Sequence, residues 1–96
     1  MVKVRRLVID LLKPNDPEIL DFVTDIASLE GVDSVNGVLL ETDREVQNIK
    51  LTIEGQDLDF QQIQENIDTL GGAIHSVDEV VAGEELITES RTPQDV

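Results

Sequence analysis

The stretch Ile-Lys-Leu-Thr-Ile-Glu, residues 49–54, decides the fold because its apolar and polar side chains alternate without a break. A period of two places the three aliphatic side chains on one side of a β-strand and the polar ones on the other. Residues 32–43 before it are rich in Val and Leu, and the polar segment 43–48 between them is typical of a turn. The pattern predicts an antiparallel hairpin whose second arm ends at Gly55.

A helix is predicted on each side of this hairpin. After it, Asp57 or Asp59 can cap a helix that ends at a pair of glycines, and before it Asn15 or Asp16 can cap a helix of about three and a half turns that ends at Gly31. Apolar residues recur at spacings of three and four in both segments, which is the period of an amphipathic helix. These positions are Ile19, Phe22, Val23, Ile26 and Leu29 in the first helix and Phe60, Ile63, Ile67 and Leu70 in the second.

One further strand is predicted at each end of the chain. Residues 3–13 alternate until Pro14 stops them, and residues 73–82 follow the second helix. The order strand–helix–strand–strand–helix–strand is that of the ferredoxin-like α+β sandwich, a four-stranded antiparallel sheet with two helices on one face. We expect a single domain over residues 1–90, with a short extra strand within 84–90, and a C-terminal tail over 91–96.

Composition excludes several classes of function. The 96 residues include 21 Asp and Glu, 7 Lys and Arg and no Cys, with a formal net charge of −14. Without cysteine there is no disulfide, thiolate metal site or cysteine nucleophile. The charge opposes binding to nucleic acid and to anionic membranes, and no apolar run is long enough to span a bilayer, so a cytoplasmic protein is predicted. The acidity fits a halophilic surface or, alternatively, a generic acidic surface kept in solution by its charge.

The face of the sheet that the helices leave bare is predicted to carry the function. Val8, Leu12 and Leu39 are assigned to it, and exposed aliphatic residues on the sheet face of a small domain favour a homo-oligomer interface. The alternative is a solvated face with incidental aliphatic residues. If the hairpin closes near residues 43 and 48, Glu41 faces Lys50 across the ladder.

A divalent-cation site is a second prediction for the same region. Asp10 lies in an otherwise aliphatic strand, so its carboxylate must be paired, hydrated or bound to a cation. Asp78 and Glu79 lie in the adjacent last strand, and the three carboxylates could hold calcium or magnesium. His75 and Ser76 complete the candidate ligand-binding residues. A Ser–His hydrolytic centre is disfavoured, because adjacent strand residues point to opposite faces.

Several segments resemble one archaeal family, the domain of unknown function two hundred and eleven. They are Asp10-Leu11-Leu12-Lys13-Pro14, the run from Asn48 to Gly55, Asp57-Leu58-Asp59-Phe60, the run from Gly71 to Gly83, and Thr92-Pro93-Gln94-Asp95. The resemblance covers nearly the whole chain. It implies a ferredoxin-like fold, an archaeal source and a ring-like homo-oligomer, and it implies no particular activity.

The function predicted from these observations is a non-enzymatic, ring-forming homo-oligomeric module with the layout of ACT-type regulatory domains, which binds a small ligand or a divalent cation. The competing hypothesis is a metal-dependent enzyme in which Asp10, Asp78 and Glu79 hold the metal and His75 acts as acid or base. A purely structural assembly subunit is the third possibility. No nucleic-acid or membrane partner is expected.

Overall fold

The computed structural model describes residues 2–87 and confirms the ferredoxin-like fold. The elements follow the predicted order: β1 (Val4–Pro14), α1 (Ile19–Ala27), β2 (Val32–Thr42), β3 (Val46–Gly55), α2 (Phe60–Thr69) and β4 (Ala73–Ala82). The strands form one sheet in the order β2-β3-β1-β4, and every neighbouring pair is antiparallel. The predicted tail, residues 91–96, lies outside the described residues.

The core lies between the two helices and one face of the sheet. The alternating residues of β1 and β3 provide its floor and each helix contributes two fully buried side chains, which matches the predicted apolar positions. Burying an aliphatic or aromatic side chain of this size contributes roughly 1.5–3 kcal/mol. The central members are Leu7, Ile9, Leu11, Phe22, Ile26, Ile49, Leu51, Ile53, Ile63 and Ile67.

Neither helix within residues 2–87 is long and apolar enough to cross a membrane.

Helix α1 begins later than the sequence predicts. Its N-terminal boundary is Glu18, whose backbone is extended and whose side chain caps nothing, so the prediction of Asn15 or Asp16 as the cap was wrong. The reason lies in Lys13, whose side chain is fully buried on the core side of the sheet. Its ammonium donates hydrogen bonds to the carbonyls of Pro14 and Pro17, which holds the connecting loop away from helical geometry.

Helix α2 agrees with the prediction at its start. The carboxylate of Asp59 accepts a hydrogen bond of 3.3 Å from the backbone N–H of Gln62, so Asp59 rather than Asp57 is the cap.

Two loops cross at a single point beside the core. The loop that enters β2 passes Gly31, and the loop that leaves β3 begins at Gly55, which is buried. A Cβ atom on Gly55 would overlap the carbonyl oxygen of Gly31 and lie 2.7 Å from the Leu58 side chain. The backbone N–H of Leu58 donates to the carbonyl of Val4 at 2.9 Å, which ties the same crossing to the start of β1.

The hairpin register differs from the prediction because the turn closes between Asp43 and Val46, two residues tighter than expected, and because β2 then carries a bulge. Lys50 pairs with Val38, and Glu41 pairs with Asn48, so the expected Glu41–Lys50 pair was wrong. The register shifts between Leu39 and Glu41. Such an extra residue moves every later side chain of the strand relative to its partner.

Strand β4 carries two irregularities of the same kind. The pairing of β4 with β1 shifts by one residue between Ser76 and Ile74, so His75 has no partner on β1. A second shift lies between Glu79 and Val77, and it leaves Asp78 without a partner on β1. The chain after β4 is not a strand over residues 84–87, so the predicted extra strand is absent there, and its remainder, residues 88–90, lies outside the described residues.

Candidate functional site

A groove crosses the open face of the sheet where β3, β1 and β4 lie side by side. We call it the Arg6 groove, and its volume is about 870 Å³. Most of the side chains that β3 and β1 contribute are polar, because these positions face away from the core, which the aliphatic residues between them fill. Its principal lining residues are Arg6, Val8, Lys50, Thr52, Asp78 and Ile87.

Arg6 is held between the two neighbouring strands. Its Nε donates to the Glu54 carboxylate of β3 at 2.7 Å, and its Nη1 lies 3.4 Å from the Glu79 carboxylate of β4. The hydrogen bond to Glu54 and the charges of both glutamates raise the pKa of Arg6 above its usual value. The guanidinium therefore fixes one end of the groove and is already neutralised by its neighbours.

The segment after β4 passes over this end of the sheet. The N–H of Gly83 donates to the carbonyl of Lys3 at 2.8 Å, and Arg6 Nη1 lies 3.4 Å from the carbonyl oxygen of Ile87. Arg5 donates to the carbonyl of Glu84 and, at 3.1 Å, to that of Gly55. The segment makes one wall of the groove, and Val81, which lines the groove on the open face, is only 5% exposed.

The three carboxylates predicted to bind a cation each have another partner. Asp10 accepts a hydrogen bond from the side-chain amide of Asn48, Asp78 accepts one of 2.7 Å from Ser76 Oγ, and Glu79 pairs with Arg6. Within residues 2–87 no group of three or more His, Asp or Glu side chains is placed to hold a metal ion. The cation site stays a prediction, and the part of the chain that the structure describes offers no preformed cluster for it.

His75 and Ser76 are placed apart by the bulges of β4. Ser76 pairs with Asp10 and shares its face of the sheet, whereas His75 is the unpaired, exposed bulge residue. Glu79 pairs with Val8, so Ser76 and Glu79 share the open face. Within residues 2–87 the His75 side chain forms no hydrogen bond and no ion pair. It therefore has no carboxylate partner there that could support acid–base chemistry.

The residues predicted to form an oligomer interface separate into two groups. Val8 is half-buried in the floor of the Arg6 groove and Leu12 is exposed on the open face, as expected. Leu39 pairs with the core residue Ile49, so it lies on the helix-covered face rather than the bare one, and that placement was wrong. It is nevertheless 46% exposed, and β2 is an edge strand of the sheet.

Sequence reasoning missed two features of this surface. Arg6 was not selected, although strand alternation places it and Glu54 on the same outward face, where the register makes them partners. The aliphatic neighbours of Leu39 were not selected either, and a run of Val38, Leu39 and Leu40 within one strand is a signal that both faces carry apolar side chains.

Comparison with known proteins agrees with the resemblance found in the sequence. The model of the DUF211 family, described as "Uncharacterized ArCR", matches residues 5–96. The uncharacterized protein MJ0319 of Methanocaldococcus jannaschii is 54% identical over 92 residues, which cover 96% of this chain and 95% of that protein. The chain belongs to the archaeal DUF211 family, the domain of unknown function two hundred and eleven.

Proposed function

We propose that this chain is a non-enzymatic, cytoplasmic, ring-forming homo-oligomeric module with the layout of ACT-type regulatory domains, and that it binds a small ligand or a divalent cation on its sheet. The observation that carries the proposal is the apolar end of edge strand β2. Val38, Leu39 and Leu40 are 45%, 46% and 48% exposed, and they follow one another in the chain. We call these three residues the β2 patch.

A second copy is the partner that best fits the β2 patch. The patch contains no charged side chain, although 21 acidic residues give the chain a net charge of −14. An uncharged patch is the part of such a surface where two identical copies can meet with the least repulsion. Leaving its side chains in water forgoes roughly 25 cal/mol for each Å² that an interface would cover. The outer edge of β2 also presents backbone donors and acceptors that a partner can satisfy.

The first test is a pair of variants with the same change in charge. Leu40→Lys places an ammonium in the β2 patch, whereas Leu20→Lys places one on helix α1, where the native leucine is 68% exposed. We expect Leu40→Lys to weaken association at least about tenfold, which corresponds to 1.4 kcal/mol, and to move the mass in light scattering toward the 10.6 kDa of one chain.

Leu20→Lys is expected to leave the assembly intact. Both substitutions make the chain less acidic, which by itself reduces repulsion, so a loss of mass confined to Leu40→Lys is attributable to the patch. A wild-type chain that is monomeric at every concentration, or a Leu40→Lys variant with unchanged mass, would remove the β2 patch from the proposal.

A halophilic origin of the acidity is a separate part of the proposal and predicts a strong response to salt. Salt screens the repulsion among exposed carboxylates, so we expect the thermal midpoint to rise between low salt and molar potassium chloride. For a domain of this size a gain of about 2 kcal/mol raises the midpoint by roughly 8–16 °C. Calorimetry in a potassium chloride series measures the change.

A matched variant for the salt response removes three negative charges that line one hollow of the surface. Glu30, Asp57 and Glu65 are exposed and line the same hollow beside the start of α2. The triple variant Glu30→Gln, Asp57→Asn, Glu65→Gln should be more stable than the wild type at low salt and gain less from salt. A thermal midpoint that is indifferent to potassium chloride in both proteins rules out the halophilic explanation.

A further inference from the structure

We propose that the Arg6 groove binds a small zwitterion with an aliphatic side chain, of the chemical class of a free amino acid. This inference deepens the ligand-binding part of the proposed function and rests on it. It is independent of the β2 patch, which shares no residue with the groove.

Two of the charged side chains that line the groove remain available to a ligand. Arg6 is occupied by Glu54 and Glu79, and these are the ion pairs within residues 2–87. Lys50 and Asp78 also line the groove, yet neither belongs to an ion pair in that part of the chain. The groove therefore offers one ammonium and one carboxylate that form no ion pair in that part of the chain, and Asp10, directly opposite Lys50 on β1, is itself held by the side-chain amide of Asn48.

These two groups lie on opposite sides of the groove. Lys50 lies on β3 and Asp78 on β4, and β1 separates these strands in the sheet. Neighbouring strands are about 4.8 Å apart, so the two backbones are roughly 10 Å from each other across the groove. The hydrogen bond from Ser76 Oγ holds one oxygen of Asp78, which leaves the other oxygen for a ligand. A molecule between the two walls can meet a positive group on one side and a negative group on the other.

The mixed charges of the groove favour a ligand that carries both signs of charge. A simple anion meets three carboxylates in the lining, those of Glu54, Asp78 and Glu79, and a simple cation meets Arg6 and Lys50. A zwitterion places its carboxylate at Lys50 and its ammonium at Asp78, so both attractions act together. Val8 and Ile87 supply aliphatic surface in the same groove, which favours an aliphatic side chain over a charged one.

The experiment screens each of the twenty standard L-amino acids by saturation-transfer NMR at about 10 mM, where even millimolar affinity gives a signal. The strongest binder is then titrated by calorimetry beside two analogues, its amide, which lacks the carboxylate, and its deaminated acid, which lacks the ammonium. We expect an aliphatic amino acid to bind saturably and each analogue to bind at least about tenfold more weakly. Absence of any signal, or equal binding of the amino acid and an analogue, overturns the proposal.

Variants locate the site. Lys50→Met and Asp78→Asn change exposed side chains and should weaken binding at least about tenfold. The matched controls, Lys3→Met and Asp68→Asn, change exposed residues outside the groove and should leave binding within about twofold. Light scattering on the same samples separates the two proposals. Binding by a monomer contradicts the assembly alone, whereas an assembly that binds no amino acid contradicts this inference alone.

Discussion

Gly55→Ala is expected to abolish cooperative folding or to lower the free energy of unfolding by more than about 4 kcal/mol. The added Cβ would overlap the carbonyl oxygen of Gly31 and lie 2.7 Å from Leu58. Backbone atoms cannot move aside as a flexible side chain does, so the two loops that cross here must separate. A domain of 96 residues has a total stability of only about 5–14 kcal/mol, which makes this loss decisive.

Urea unfolding followed by circular dichroism measures the effect. Gly83→Ala is the matched control, because a Cβ there has no atom within 4 Å and meets only the strain of a backbone with φ of +128°. We expect that control to lose about 1–2 kcal/mol. Similar losses in the two variants would show that the close approach of the loops is not what requires glycine at position 55.

Lys13→Ala is expected to lower the free energy of unfolding by about 3–5 kcal/mol. The substitution removes a fully buried aliphatic stem and leaves the carbonyls of Pro14 and Pro17 without their donor. Lys13→Met keeps the stem and loses only the hydrogen bonds, so its loss should be about 1–3 kcal/mol. Lys50→Ala, which changes an exposed lysine, should stay within about 0.5 kcal/mol of the wild type.

The pH dependence of stability identifies the contribution of the ammonium. Burial lowers the pKa of Lys13 below its usual 10.5, against the opposing charges of Asp16 and Glu18. Between the lowered value and 10.5 the unfolded chain binds more protons than the folded one, so the free energy of unfolding rises with pH in that window. The chain has no Tyr or Cys whose titration would overlap this window.

Urea unfolding at several alkaline pH values should therefore show a rising stability in the wild type. The rise should be smaller in Lys13→Met and unchanged in Lys50→Ala. A wild-type profile that is flat or falls toward pH 10.5 would contradict the burial of a charged Lys13.

The fold was predictable because its determinants are local and repeat along the chain. The alternation of residues 49–54 and of β1, the apolar period of the two helices and the cap at Asp59 all survive in the structure. Lys13 shows where such patterns fail. It occupies an inward position of β1, where a lysine signals the end of the buried part of a strand, yet here the loop folds back to supply carbonyls for its ammonium.

The candidate site was less predictable because bulges decide it. One extra residue near Leu40 places Val38 rather than Leu39 beside Lys50, and the unpaired positions of His75 and Asp78 regroup the side chains of β4. A bulge reflects the fit of two strands to each other, and alternation within either strand alone does not reveal it. The groove also depends on Ile87, which approaches Arg6 only after the chain turns at Gly83.

The strand order has a consequence for how the chain is made. β1 is the first strand to be synthesised, yet it lies inside the sheet between β3 and β4, the latter being the last strand. At 5–20 residues per second, a ribosome that has finished β1 needs roughly 3 to 14 seconds more to complete β4. During that interval the apolar side of β1 has no complete core to join. We therefore expect the apolar side of β1 to stay uncovered for longer during translation than that of a strand whose sheet neighbours both follow it directly in the chain.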